Sequence, residues 1–244
     1  MSNKEYLQEV EVKLKRLAKN YGVVKKSYFN SEYIFLAAIP VPEIRRLQKA
    51  GFSFSEFSHS KQSRIWDYIW KNSKYFEALS LCLYYFDSLK VDLTLADWKT
   101  LKAWSAQIDN WAHSDGLSSL YANLHESFPD KIYPTYLRWN KSSKPWLRRL
   151  SVIGLFYYSS SRKTRQPAFN KVLPLLNNLI EDDHFYVQKA VGWTIREMYN
   201  VYPKRTWKLL QKEAKKIPAA GWQAATEKLS KVDKESLKKI RGNI

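Results

Sequence analysis

In the stretch NWAHSDGLSS, residues 110–119, Trp111 stands four residues before Asp115, and Gly116 follows the carboxylate. If both residues are helical, positions i and i+4 share a face, so the indole and the carboxylate project together. Asp115 is then the one candidate catalytic acid in the chain. The plainer reading makes Ser114 or Asp115 the N-cap of a helix over GLSSLYANLHES. The two readings are compatible, because a residue at a helix start faces the groove between stacked helices. Gly116 would let a backbone or a ligand approach closely. His113 points elsewhere on such a helix and takes no part.

A second set of residues suits a polyanion. In VQKAVGWTIREM, Lys189, Trp193 and Arg196 lie at i−4, i and i+3 and share one helix face, with Glu197 also four from Trp193. Rings beside cations can lie against sugars or bases while the cations hold phosphates. The plainer reading is a surface helix with one buried Trp and solvated charges. In WLRRLSVIG, Arg148 and Arg149 open a helix, where guanidinium groups and backbone donors together would grip a phosphate. Two solvated arginines are the plainer alternative.

The elements that must carry these residues are helices. Apolar residues recur at spacings of three and four almost throughout, and the alternation and tight turns of hairpins are nearly absent. NKEYLQEVEVKLKRLAKN predicts a first amphipathic helix that stops near Gly22. SEYIFLAAIPVPEIRRLQKA predicts helical structure split by Pro40 and Pro42, with Pro42 in the first turn of the next helix. Ten further helical segments run from SRIWDYIWKNS to AGWQAATEKLS, with PDKIYPTYLRWN helical in part, before a basic tail, KVDKESLKKIRGNI. WLRRLSVIGL from Trp146 and YVQKAVGWTI from Tyr186 echo each other 40 residues apart, with Arg149 opposite Lys189. A period near ~40 with two helices per unit is the spacing of HEAT and armadillo repeats. The expected fold is therefore all-α, a HEAT-like or armadillo-type helical solenoid with a basic concave face. No linker divides the chain, so residues 1–244 read as one domain. Trp66, Trp70, Trp98, Trp104 and Trp207 read as core.

Composition narrows the function. Against 23 Asp and Glu stand 41 Lys and Arg, a formal net charge of +18, which predicts attraction to nucleic acid. The single cysteine, Cys82, excludes an internal disulfide and a cysteine-based zinc site, and it reads as a buried small hydrophobe. No metal spacing, P-loop, dinucleotide fingerprint or Ser-His-Asp order occurs, so neither a metal nor a small-molecule cofactor is expected. The N-terminus lacks the apolar core of a signal peptide, and the longest apolar run is too short to span a bilayer. A monomer in the cytoplasm, with no membrane partner, is the expectation.

Four stretches carry a family likeness. IPVPEIRRL (residues 39–47), DNWAHSDGLSS, PWLRRLSVIGLF and FYVQKAVGWTIREMY (residues 185–199) follow one another over most of the chain. In type, order and spacing they resemble the bacterial DNA alkylation repair glycosylases of the AlkD-like type, which are built from HEAT-like repeats. The fourth stretch is the most specific. The resemblance implies roles residue by residue. Asp115 matches the catalytic carboxylate, and Trp111 and Trp193 match the tryptophans that flank the lesion's deoxyribose. Arg149 matches a phosphate-contacting arginine and Arg196 the arginine one turn beyond the second tryptophan. Arg45, in the proline-arginine motif, is carried over as a DNA contact, with Arg148 and Lys189 as added cations. Ala38 and Val41 depart from the family's Gly and Thr in that first motif.

The implied partner is double-stranded DNA with alkylated bases. The implied reaction is hydrolysis of the N-glycosidic bond of N3- or N7-alkylated purines such as 3-methyladenine and 7-methylguanine, in base excision repair. The alternative is a non-catalytic HEAT-repeat protein that recognises damaged or branched DNA. A protein-binding scaffold is disfavoured by the charge of +18.

Overall fold

The computed structural model describes residues 1–24, 31–89, 92–157 and 165–242, and among them it is helical, with thirteen α-helices and no strand. Two compact units result, Met1–Leu120 and Tyr121–Ile244, and the division falls inside α6 (Trp111–Ser127).

The first unit opens with α1 (Asn3–Ala18). Ser2 and Glu5 form a reciprocal capping box that satisfies the first-turn donors, and Tyr6, Val10 and Leu14, spaced by four, are buried. As expected, Pro40 and Pro42 start α2 (Val41–Ala50), where a missing N–H costs nothing because first-turn donors have no helical partner. The helical expectation for SEYIFLAA is corrected. Residues 31–40 form no helix, and Ile34 instead makes an isolated parallel bridge to Tyr75. Main-chain bonds, such as Ile34 N–H to the Lys74 carbonyl at 2.8 Å, and side chains together satisfy this strap's backbone. The Glu77 carboxylate accepts the N–H groups of Leu36 and Ala37 at 3.0 and 3.4 Å, and Asp109 accepts the Glu32 N–H at 2.7 Å. Burial pushes the Glu77 carboxyl up from its ordinary pKa, against the pull of those donors.

Three further helices, α3 (His59–Asn72), α4 (Phe76–Ser88) and α5 (Leu95–Trp104), surround an aromatic core. Trp70 and Trp104 stack at 4.4 Å, and the Trp104 indole N–H donates to Asp67 at 2.9 Å. Trp66, Trp70, Trp98 and Trp104 are buried as expected, and Trp207, in the second unit, is half-buried. Cys82 is fully buried, which raises its thiol pKa well above the ordinary range.

The second unit stacks α7 (Pro129–Trp139), α8 (Pro145–Phe156), α9 (Phe169–Leu179), α10 (Phe185–Val201), α11 (Pro203–Glu213), α12 (Ala219–Thr226) and α13 (Lys231–Arg241). The whole of PDKIYPTYLRW is helical despite Pro134. Asn140 ties three of these helices together. Its amide donates to Ser151 Oγ at 3.0 Å and to the Leu175 carbonyl at 3.1 Å, while Asn178 donates back to its Oδ1 at 3.0 Å. Such a fully satisfied buried amide fixes register, since a slipped packing would leave it unpaired. The echo 40 residues apart is a packed pair, α8 against α10, with Trp146 and Tyr186 stacked at 5.1 Å. The closing segment is not a loose tail. Ser230 caps α13 by accepting the Asp233 N–H at 3.0 Å, and Leu237 is buried.

Candidate DNA-binding and catalytic site

The site begins with the cap of α6. Trp111 is the first helical residue, because the Asn110 side chain accepts the His113 N–H at 2.9 Å and its carbonyl accepts the Ser114 N–H at 3.2 Å. This corrects the expectation that Ser114 or Asp115 caps the helix. Both lie inside its first two turns, so Trp111 and Asp115 are both helical and share a face. His113, Leu117 and Leu120 take the buried face, while Trp111, Asp115 and Gly116 remain half-buried. Gly116 serves packing rather than ligand approach. A Cβ there would meet Leu83 Cδ1, on α4, at 2.7 Å.

His113 holds this arrangement in place. Its ring stacks on Phe76 at 4.2 Å, Nε2 donates to the Phe76 carbonyl at 3.1 Å, and Nδ1 lies 3.0 Å from the Asn110 amide as its acceptor. Burial drives its pKa down to about 4, so the imidazole is neutral at physiological pH. The Asp109 carboxylate next in sequence holds the 31–33 strap through Ser31 Oγ at 3.0 Å and the Glu32 N–H at 2.7 Å. The entry to α6 is thus pinned from both sides.

The remaining predicted residues sit as follows. Arg45, on α2, lies half-exposed with its guanidinium 3.0 Å from Asp87 and 4.2 Å over the Tyr84 ring. Arg148, on α8, is committed within the protein. It makes a two-point contact with Asp182 at 2.6 and 3.1 Å and donates to the carbonyls of Ser142 and Ser143. The Asp182 hydrogen bond raises its pKa further. That geometry clamps the 142–143 turn to the segment before α10. Arg149 is 5% exposed, and its Nη1 donates to the Tyr186 carbonyl at 2.7 Å. Lys189, its counterpart in the echo, is exposed, with Nζ 5.5 Å from the Phe185 ring. The pairing of the two in the sequence therefore does not extend to burial.

Trp193 is half-buried on α10. The Arg196 guanidinium lies 5.7 Å from its ring and is ion-paired to Glu227, beyond the end of α12, and to Glu197 at 3.5 Å. Tyr157 meets the same indole edge to face at 5.3 Å, although it is the residue that ends α8. Its φ of +24° makes it the one described non-glycine residue with a positive φ. Asn110, Tyr157 and Glu227 were not singled out from the sequence. An Asn immediately before the helix was a readable signal for the first. Nothing local marks the other two, whose importance arises from packing between distant segments.

Among the described residues no cluster of three or more His, Cys, Asp or Glu could hold a metal ion, and no helix is long and apolar enough to cross a membrane. The second unit has a cavity of about 310 Å³ lined by His125, Glu126, Tyr133, Arg165 and Lys171, among others. None of the predicted site residues lines it.

Comparison with known proteins identifies the fold and the family. Solved structures with the same fold include a predicted DNA alkylation repair enzyme from Enterococcus faecalis, 14% identical with a TM-score of 0.66 over 91% of this chain and 96% of that one. The smu.31 protein of Streptococcus mutans UA159 is 18% identical, with a TM-score of 0.58 over 94% of this chain and 100% of its own. AlkD2 from Streptococcus mutans is 17% identical, with a TM-score of 0.56 over 100% and 99%. No curated protein matches the chain. The all-helical architecture is thus the AlkD-like helical-repeat fold. Residues 12–229 match the family described as DNA alkylation repair enzyme, and the chain belongs to that family.

Proposed function

We propose that this protein is a DNA glycosylase that hydrolyses the N-glycosidic bond of cationic N3- and N7-alkylated purines, 3-methyladenine and 7-methylguanine, in double-stranded DNA. The observation that carries the reading is the Trp111–Asp115 pair, one turn apart on a half-buried edge of α6 and fixed there by the Asn110 cap. Membership of the family and the charge of +18 support it.

An alkylated purine is already cationic and leaves as a neutral base, so the reaction has little need of a general acid. One carboxylate suffices, in contrast to sugar hydrolases that need two. As the bond breaks, positive charge moves to the deoxyribose. Asp115 stabilises that oxocarbenium-like cation and orients or deprotonates the attacking water. By the family resemblance Trp111 and Trp193 are the rings assigned to the sugar, where a ring face adds cation–π stabilisation of about 0.5–2 kcal/mol. Arg149 supports the backbone contact, and Lys189 and Arg45 add charge toward the phosphates. The work falls on the sugar side, in a shallow groove, without a metal or a small-molecule cofactor. The protein acts as a cytoplasmic monomer.

The test is incubation of purified protein with methylated duplex DNA, scored for released 7-methylguanine and 3-methyladenine and for abasic sites. Release with matching abasic sites supports the reading. Tight, salt-sensitive binding without release would replace it with the non-catalytic DNA-binding alternative.

A further inference from the structure

Three features converge on Trp193 without belonging to the reacting groups. First, α10 and α12 cross closely because both present glycine. A Cβ on Gly192 would fall 2.0 Å from the Gly221 carbonyl oxygen, and one on Gly221 would fall 2.9 Å from the Gln188 carbonyl. The segment that follows this close crossing reaches α10. Second, the approach brings Glu227 onto Arg196, whose guanidinium is also in reach of Glu197 and lies over the Trp193 ring. Arg196 is held by carboxylates on two elements, so its position relative to the indole is fixed. Third, Tyr157 ends α8 at φ +24°, a region costly for a residue with a Cβ, and its ring stands edge-on to Trp193 at 72°.

We infer that Tyr157 and the Arg196–Glu227 pair are positioning residues that fix the orientation of the Trp193 indole. The proposal rests on the glycosylase reading for its purpose, since a ring that must lie against a sugar cation has to be aimed before the DNA arrives. Without support, a half-buried tryptophan samples several side-chain rotamers and loses part of its cation–π contribution. An edge-on phenol and a guanidinium held by carboxylates, both against the indole, remove that freedom. Arg196 is accordingly assigned to the indole rather than to a phosphate, and α12, which carries no catalytic group, becomes part of the site's frame.

The orientation can be read without any activity. The full-length protein is labelled with 5-fluorotryptophan, and the Trp193 resonance is assigned by its loss in Trp193→Phe. In Glu227→Gln, whose altered side chain is exposed, and in Tyr157→Leu, that resonance is expected to shift or broaden while the other tryptophan signals hold. Tyr157→Phe, which keeps the ring edge, is expected to restore it toward wild type. On methylated duplex, Glu227→Gln is expected to lower kcat about tenfold with KM within twofold. An unmoved Trp193 signal in both Glu227→Gln and Tyr157→Leu overturns the positioning role. A moved signal in a protein that releases no base even as wild type leaves the positioning role standing and overturns the glycosylase reading instead.

Discussion

Asn110 accepts the His113 N–H at 2.9 Å, and this one bond decides that α6 begins at Trp111 rather than at Asp115. A helix begun at Asp115 would leave Trp111 in the preceding loop with no fixed relation to the carboxylate. Asn110→Ala removes the cap and also the amide that faces His113 Nδ1 at 3.0 Å. A loss of about 1–2 kcal/mol in folding stability is expected, measured by urea unfolding. Glycosylase activity should fall by more than the unfolded fraction explains.

His113 makes stability depend on pH in a definable window. Its folded pKa is depressed to about 4 by burial, below the ordinary value of 6.5. Its stabilising contribution is therefore complete above 6.5 and is lost as pH falls toward 4, because the unfolded chain binds the proton first. The loss is on the order of 3 kcal/mol over that range. Urea midpoints measured from pH 7 to pH 4 should fall steeply in the wild type and more shallowly in His113→Gln.

The crossing of α10 and α12 has no room for a methyl group. Gly192→Ala places a Cβ 2.0 Å from the Gly221 carbonyl, a backbone atom that cannot rotate away. The helices must separate, at a cost of about 1–3 kcal/mol. Thermal unfolding should show a lower Tm. Alanine at Gly116, which would meet only the end of the Leu83 side chain, should lower it less.

The cations divide by what already holds them. Arg148 is bound to Asp182 and to two carbonyls, whereas Lys189 is exposed. Lys189→Ala is expected to reduce the slope of log K against log salt by about 1 for binding to unmodified duplex. Arg148→Ala should leave that slope nearly unchanged and lower folding stability instead. Titrations over a range of salt concentrations, with urea melts, separate the two.

These contrasts show what local pattern can and cannot carry. The helices were legible because their apolar spacing is strong, and the break at Pro40 and Pro42 because proline lacks a donor. The strap at 31–40 was not, since its extended path depends on Glu77 and Asp109, which lie 41 and 77 residues away from the N–H groups they bind. Likewise the likeness of WLRRLSVIGL to YVQKAVGWTI was readable and corresponds to the packed pair α8 and α10. That Arg149 is buried while Lys189 is exposed was not, because burial depends on what packs over each helix. At the site, the spacing of Trp111 and Asp115 sufficed to pair them, and Arg196 was legible beside Trp193, whereas Tyr157 and Glu227 reach that indole from segments with no local mark.

The central claim is that Asp115 stabilises the sugar cation as the glycosidic bond breaks. It is tested most directly by Asp115→Asn, a change that keeps size and removes charge. The variant and the wild type are compared for single-turnover release of 7-methylguanine from methylated duplex and for affinity for unmodified duplex. The account predicts release slowed by at least about 100-fold, a loss of roughly 3 kcal/mol of transition-state stabilisation, with affinity within twofold. Release at the wild-type rate would contradict it.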